Sequence, residues 1–312
     1  MNFQQLKIVR ETVRQNFNLT EVGRVLFTSQ SGVSKSLKDL EDELGIDIFT
    51  RIGKRLVGLT PEGQSMLEVI NSILLNTHNL QVMANQFSNK AKGNLIIATT
   101  HTQARYALPQ PLKRFVLDFP DVHLTLHQGS PQEIKELLID GTVDIGIATE
   151  QLHLSEDLIT FPWYKWQHGV VAPIGHPIFN KEVLTLEALA EFPLITYHSG
   201  FTGRSHLDEA FQNAGLAPDV VLTALDADVI KSYVDLGLGL GVIASIAFDP
   251  ERDRGLQFVA AGHLFGENTA HIAVRRGHFL RDYAYAFIER LSTQSTKEDI
   301  LKLISNTDKV VI

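Results

Sequence analysis

The stretch "FTSQSGVSKSLKDLEDELG", residues 27–45, constrains the amino-terminal part of this chain more tightly than any other. Val33, Leu37, Leu40 and Leu44 recur at intervals of four, three and four, which predicts one helix with a single buried face. Thr28 or Ser29 stands where a cap is needed, since a hydroxyl there accepts from a free N–H of the first turn. At about 100° per residue, Ser31, Ser34, Lys35 and Lys38 fall roughly 100–200° from the buried stripe, so small hydroxyls and ammonium groups share the exposed face. Two amphipathic patterns precede it, one through Phe3, Leu6, Ile8 and Val9, the other through Val22, Val25 and Leu26 with Thr20 as its expected cap. Short helices followed by such a face form the pattern of a helix-turn-helix, whose last helix enters the major groove. An ordinary solvated surface has the same periodicity, and periodicity alone does not choose.

The next segment adds a second feature. "FTRIGKRLVGLTPEG", residues 49–63, reads as a hairpin turning at Gly53 with Arg51, Lys54 and Arg55 around the turn. A wing beside a recognition helix would set these cations on backbone phosphates, which supply affinity and register without reading bases. Thr60 then caps a new helix, with Pro61 at its first position and Glu62 near its positive end. Met66, Ile70, Ile73, Thr77, Leu80, Ala84 and Phe87 alternate spacings of four and three along it. That is the a/d seam of a coiled coil interrupted at Thr77. A core-facing stripe is the alternative; the helix's place between two differently patterned regions favours a dimerising linker.

From Gly93 the pattern changes to alternating strands and helices, with strands expected at 94–98, 122–128 and 143–148. "SPQE" opens one helix, Ser130 as cap, Pro131 in the first turn and Glu133 completing a capping box. Such alternation implies a mainly parallel α/β sheet, whose ligands sit beyond the carboxyl ends of strands next to helix starts. "IIATTHTQARYALP", residues 96–109, places Thr99, Thr100, His101, Thr102, Gln103 and Arg105 at that location. Taken alone, these side chains are either ordinary capping groups or the floor of an anion site. "ITFPWYKWQHGVVAP" is expected to carry the chain into a second lobe running to about residue 265, and a helix around 278–291 to return to the first. The glycines of "LGLGLGVIAS" follow a helical pattern and precede a strand, the reverse of a dinucleotide loop, so they end a helix and begin a strand.

Composition narrows the function. The chain has 312 residues, enough for more than one domain, and no cysteine, which excludes disulfides, thiolate metal sites and a thiol nucleophile. Its 12 histidines are scattered without metal-ligand spacing, and no metal or cofactor is expected. A net charge of −8 argues against indiscriminate nucleic-acid binding by the whole molecule while allowing a local basic face. The amino terminus mixes charges among its apolar residues and no run would span a bilayer, which predicts a cytoplasmic protein without a membrane partner. A solute-binding protein of the transport kind shares the two-lobed fold but would require export. An enzyme would require a nucleophile elbow, phosphate loop or carboxylate dyad, and none is visible, so no catalytic residue is expected.

"TSQSGVSKSLKDLEDELGIDIFTRIGKRL" with "LTPEG" resembles the amino-terminal domain of LysR-type transcriptional regulators, and the helical linker and α/β region are similar to the rest of that family over essentially the whole chain. "ATTHTQARYALP", "HQGSPQEI", "GFTGRS" and "DADVIKSYV" are similar to its CysB/Cbl branch, regulators of sulfur assimilation and cysteine biosynthesis, although CysB members more often carry proline at the position of Ser31. The resemblance implies an α/β protein in three parts. They are a winged helix-turn-helix at 1–59, a linker helix at 60–92, and a two-lobed effector domain of periplasmic-binding-protein type at 93–312, with lobe I about 93–163 and 266–292 and lobe II about 164–265. It implies a homodimer or homotetramer on promoter DNA, with RNA polymerase as a further partner, in which Ser29, Gln30, Ser31, Ser34, Lys35, Lys38, Arg51, Lys54 and Arg55 meet DNA. It also implies an anionic effector, such as acetylserine, sulfate, thiosulfate or adenosine phosphosulfate, held by Thr100, Thr102, Gln103, Thr149 and Thr202. Tyr164 and Trp166 either line the same cleft or pack in the core; His101 and Arg105 receive no role.

Overall fold

The structure, a computed structural model, describes residues 1–88, 92–149, 152–201, 203–292 and 296–305, with backbone alone at 85–88 and 305. The chain divides into two compact units, Met1–Asn85 and Gln86–Ile312.

The first unit opens with α1 (Phe3–Arg14), α2 (Leu19–Val25) and α3 (Gln30–Leu44). Asn2 and Gln5 form a reciprocal capping box on α1. Asn18, not the expected Thr20, caps α2: its amide oxygen accepts from Thr20 N at 3.1 Å, and the left-handed backbone at Asn16 and Phe17 starts the helix two residues early. Ser29 caps α3 through Gly32 N at 3.1 Å. The turn into α3 requires Gly23, because a Cβ there would stand 2.8 Å from the Thr28 carbonyl oxygen. Leu6, Val9, Val22, Val33, Leu37 and Leu40 meet in one core. The hairpin of β1 (Phe49–Ile52) and β2 (Arg55–Leu59) turns at Gly53, whose φ of 62° favours glycine.

Helix α4 (Pro61–Ser88) is capped by Thr60, which accepts from Gly63 N at 2.9 Å. Here the expected seam shifts. Ile70 and Leu74 are buried in the core of α1–α3, with Met66 and Ile73 packed against it, so Met66 and Ile70 are spent within one chain. Thr77 turns back to donate to the Ile73 carbonyl at 2.9 Å. Among the described residues the large apolar side chains left exposed on α4 are Val69, Leu80 and Met83. With Ile73 and Asn76 they recur at spacings of four and three, so the outward seam is rotated from the expected one and shares Ile73 and Leu80 with it. The Phe87 side chain lies outside the described residues.

The second unit continues β3 (Gly93–Thr99), a π-helical turn at Gln103–Ala107, α5 (Pro109–Asp118), β4 (Val122–Gln128), α6 (Pro131–Ile139), β5 (Ile145–Ala148), β6 (Leu158–Pro173), α7 (Leu186–Ala190), β7 (Leu194–Tyr197), α8 (Arg204–Asn213), β8 (Val220–Ala224), α9 (Ala227–Asp235), β9 (Leu240–Ala244), β10 (Leu256–Ala260), α10 (Gly262–Phe265), β11 (Glu267–Arg275), α11 (Asp282–Leu291) and α12 (Lys297–Ser305). Strands β4, β3 and β5 run parallel, as their helical crossovers require. Alternation along β3 sends Leu95 and Ile97 into a core with Phe115 and Phe287, and Ala98 into one with Ile134 and Leu138 on the opposite face. In the second lobe β8, β7 and β9 are parallel and covered in the same way on both faces. The lobes share β6, whose first half pairs with β11 and whose second half pairs with β9 and β10. Beyond the expected carboxyl-terminal helix, which begins at Asp282, α12 adds Ile300 and Ile304 to the first core. Among the described residues no helix is long and apolar enough to cross a membrane.

Candidate anion cleft and nucleic-acid face

Strand β3 ends at Thr99, which is turned inward and donates to the Ile147 carbonyl at 3.0 Å. The chain then enters a helical turn that widens: Leu108 N reaches back five residues to the Gln103 carbonyl at 2.9 Å. Such π turns displace side chains that a regular helix would stack, and they occur often at functional sites. Thr100, Thr102 and Gln103 are all buried here, as is Thr149 at the end of β5, the neighbouring strand.

Two aromatic side chains on the crossover strand fix the polarity of this group. The Tyr164 hydroxyl donates to Gln103 Oε1 at 2.5 Å, so the Gln103 amide engages Tyr164 through its oxygen and keeps its NH₂ as a donor. Burial raises the Tyr164 pKa, so the phenol stays a donor. Trp166 Nε1 donates to Thr149 Oγ1 at 3.1 Å, leaving the Thr149 proton for another acceptor. From the second lobe Tyr197, buried and accepting from Ala244 N at 3.1 Å, faces Thr102, whose Oγ1 completes no hydrogen bond. Tyr164 and Trp166 thus stand behind Gln103 and Thr149 and aim them, a role the sequence patterning does not show. Thr202 lies outside the described residues. The adjoining Gly203 packs against His168 and Asn268, both buried and both missed from the sequence.

The donors at these two neighbouring strand ends are neutral. Arg204 is held by the Tyr197 carbonyl at 2.8 Å and by Asp208 at 2.7 Å. Arg105 and His101 lie 3.3 and 3.9 Å from Asp228 of the second lobe. His101, Asp226 and Asp228 stand close enough together to suggest a cation, but Asp226 caps α9, and Arg105 and Lys231 flank Asp228. The local charge is already answered. Neutral hydroxyl and amide donors beside a helical turn are chemically suited to hold an oxyanion and to release it.

On the first unit Gln30, Ser31, Ser34, Lys35 and Lys38 are exposed along α3, and the Ser29 and Ser31 hydroxyls are 3.1 Å apart at its start. Lys54 and Arg55 are exposed on the wing and have no ion-pair partner among the described residues. Arg51 is bound to the buried Glu41 and lies 3.6 Å from Asp47, so part of its charge is answered within the chain. Glu41 also accepts from Ile48 and Phe49 N–H groups at 2.8 and 3.1 Å, and the pair fixes the wing to α3.

The helix-turn-helix profile of the bacterial regulatory lysR family matches residues 3–64, and the LysR substrate binding domain profile matches residues 88–295. The chain is 56% identical to the HTH-type transcriptional regulator SsuR of Burkholderia cenocepacia over 304 residues, covering 97% of this chain and 99% of that one. It is 49% identical to CysB of the same organism, covering 94% and 93%, and 48% identical to Cbl of Escherichia coli, covering 99% and 98%. The cofactor-binding domain of the Cbl regulator superposes with a TM-score of 0.68 at 45% identity, covering 70% of this chain and 96% of that one. Full-length CbnR in complex with its target DNA shares the fold at 17% identity, with a TM-score of 0.59 and coverage of 95% and 100%. Two family profiles over both units, with relatives at about half identity along their full length, make this chain a member of the LysR family of transcriptional regulators, not an enzyme.

Proposed function

We propose that this regulator, acting mainly as an activator, controls genes of sulfur assimilation and cysteine biosynthesis, and that a small oxyanion-bearing metabolite in the interlobe cleft sets its activity. The carrying observation is the pair of aromatic hydrogen bonds, Tyr164 to Gln103 and Trp166 to Thr149, which occupy the acceptor oxygens of two buried side chains and keep their N–H and O–H groups as donors. Acetylserine, sulfate, thiosulfate and adenosine phosphosulfate all carry matching acceptor oxygens. The relatives named for SsuR, CysB and Cbl support the metabolic assignment.

In this reading the protein is cytoplasmic and binds promoter DNA as a homotetramer of two dimers, contacting RNA polymerase there. Ser29, Gln30, Ser31, Ser34, Lys35 and Lys38 face the major groove, while Lys54 and Arg55 hold phosphates. A ligand gripped by both lobes shifts their arrangement only as far as it binds one arrangement better. The test is a gel-shift assay of the full chain on sulfur-assimilation promoter DNA, with and without acetylserine and sulfate. Mobility or affinity that changes with effector is expected. Binding that no such anion alters, on promoters of another pathway equally well, would replace the sulfur assignment with a different one.

A further inference from the structure

Asn268 of β11 stands directly opposite Trp166 of β6. Residues paired across an antiparallel ladder project to the same face. The Asn268 amide therefore shares the face on which the Trp166 indole reaches Thr149, and on which the His168 ring packs edge-on against that indole at 4.9 Å. Asn268 is 3% exposed, and its Nδ2 has no acceptor among the described residues. The backbone of the second lobe closes on it: a Cβ at Gly203 would lie 3.1 Å from Asn268 Oδ1 and 2.3 Å from His168 Cε1. Buried amides are nearly always satisfied, so one that is not calls for an explanation, and an acceptor on a bound ligand supplies one.

We propose that Asn268 is a ligand contact that sets specificity: its Nδ2 donates to a second acceptor, a carbonyl or ester oxygen, on the same molecule whose oxyanion end is held by Thr100, Thr102, Gln103 and Thr149. This rests on the assignment of the cleft given under Proposed function and adds the shape of the ligand. Thr149 meets the tip of the Trp166 side chain, whereas Asn268 is the register partner of Trp166 on β11, so the two donors belong to different parts of the Trp166 surroundings. A bare tetrahedral ion fills the first position and leaves the second empty. An acylated amino acid, with a carboxylate at one end and a carbonyl at the other, fills both. Asn268 thereby separates an acyl-bearing effector from an inorganic anion competing for the same donors.

The experiment uses the full chain, with potassium sulfate and N-acetylserine as probes in titration calorimetry and thermal melts, on wild type, Asn268→Leu, Asn268→Asp and Thr149→Val. Leu keeps the volume and removes the donor, and removing an unsatisfied buried group leaves the fold as stable or more so. The expected result for Asn268→Leu is a ligand-free melting temperature at or above wild type, sulfate affinity within about twofold, and N-acetylserine affinity lower by tenfold or more. Asn268→Asp, which puts an acceptor where the donor stood, should weaken N-acetylserine at least as much. N-acetylserine binding unchanged in Asn268→Leu overturns the proposal. So does a parallel loss for both probes, or a melt that drops in the ligand-free protein, because Asn268 would then serve the anion site or the fold. Thr149→Val reports separately on the cleft: if it leaves both probes binding as in wild type, or if wild type binds neither, the cleft assignment fails and the proposal with it.

Discussion

The Tyr106 hydroxyl, on the π-helical turn of the first lobe, donates to Asp228 Oδ1 at the start of α9 in the second, 2.6 Å away. Lys231 adds to the bridge, donating to Tyr106 Oη at 3.2 Å while bound to Asp253 at 3.0 Å and to the Ala247 carbonyl at 2.8 Å. The Tyr106 ring packs against a core of the second lobe that includes Ile195, Ala227 and Ile230. Burial works to raise the Asp228 pKa, but the Tyr106 hydrogen bond and the charges of Lys231, Arg105 and His101 outweigh it and hold the carboxyl below its ordinary range.

Tyr106→Phe keeps the ring and removes the bond between lobes. A hydrogen bond to a charged group is worth about 1.5–3 kcal/mol, reduced toward about 1 kcal/mol here because Asp228 is partly exposed. For a unit of this size that lowers the melting temperature by about 2–4 °C. Scanning calorimetry of wild type and variant checks it; superimposable melts would mean the bridge carries no energy.

The same bridge has a defined pH sign. A carboxyl whose folded pKa is depressed gives stability that is present above its unfolded pKa and is lost as pH falls through the folded one. The gap in melting temperature between wild type and Tyr106→Phe should be full at about pH 6 and shrink below about pH 4. A gap that widened in acid would contradict a charged Asp228 as the acceptor.

Arg51 and Arg55 sit four residues apart on the wing and should behave oppositely. Arg55→Ala removes an exposed cation, so specific and non-specific DNA affinity fall together and the salt slope drops by about one. Arg51→Ala leaves the buried Glu41 carboxylate without its cation, and breaking such a pair destabilises the head by about 1–3 kcal/mol once partial exposure is allowed for. Denaturant melts and binding titrations on both variants separate the roles; an Arg55→Ala that altered sequence preference alone would remove the phosphate assignment.

Leu80 is 68% exposed on α4, whereas Ile70 is buried in the head. Leu80→Glu should dissociate a dimer built on the outward seam and leave the head folded, since an unpartnered charge in an apolar seam is costly. Ile70→Glu should unfold the head. Sedimentation and circular dichroism decide; a Leu80→Glu protein that stayed associated through α4 would exclude that seam.

These contrasts show where the sequence was sufficient. The stripe Val33, Leu37, Leu40 and Leu44 defines α3 by itself, because one helical face must be buried whatever it packs against. The capping boxes at Ser130 and the glycines after α9 are equally local. The expected seam on α4 includes Met66 and Ile70 because these two satisfy the same spacing whether they meet a second chain or the core of their own amino-terminal unit. Arg51 looks like any wing cation until the fold places it against Glu41, ten residues earlier. Asn268 carries no local signal at all: it matters only because β11 returns beside β6 and sets it next to Trp166.

The shared strand β6 and the late return of β11 also order events during synthesis. The first lobe lacks β11, α11 and α12 until the last part of the chain has been made, whereas the second lobe's strands β7–β10 are complete by Ala260. Since chains begin to fold as they emerge, the second lobe can assemble on the ribosome around the far half of β6 while β3, β4 and β5 wait with one sheet edge open. The half-made first lobe is then the species most exposed to unwanted strand pairing, and a ribosome stalled before Glu267 would release a protein with a finished second lobe and no cleft.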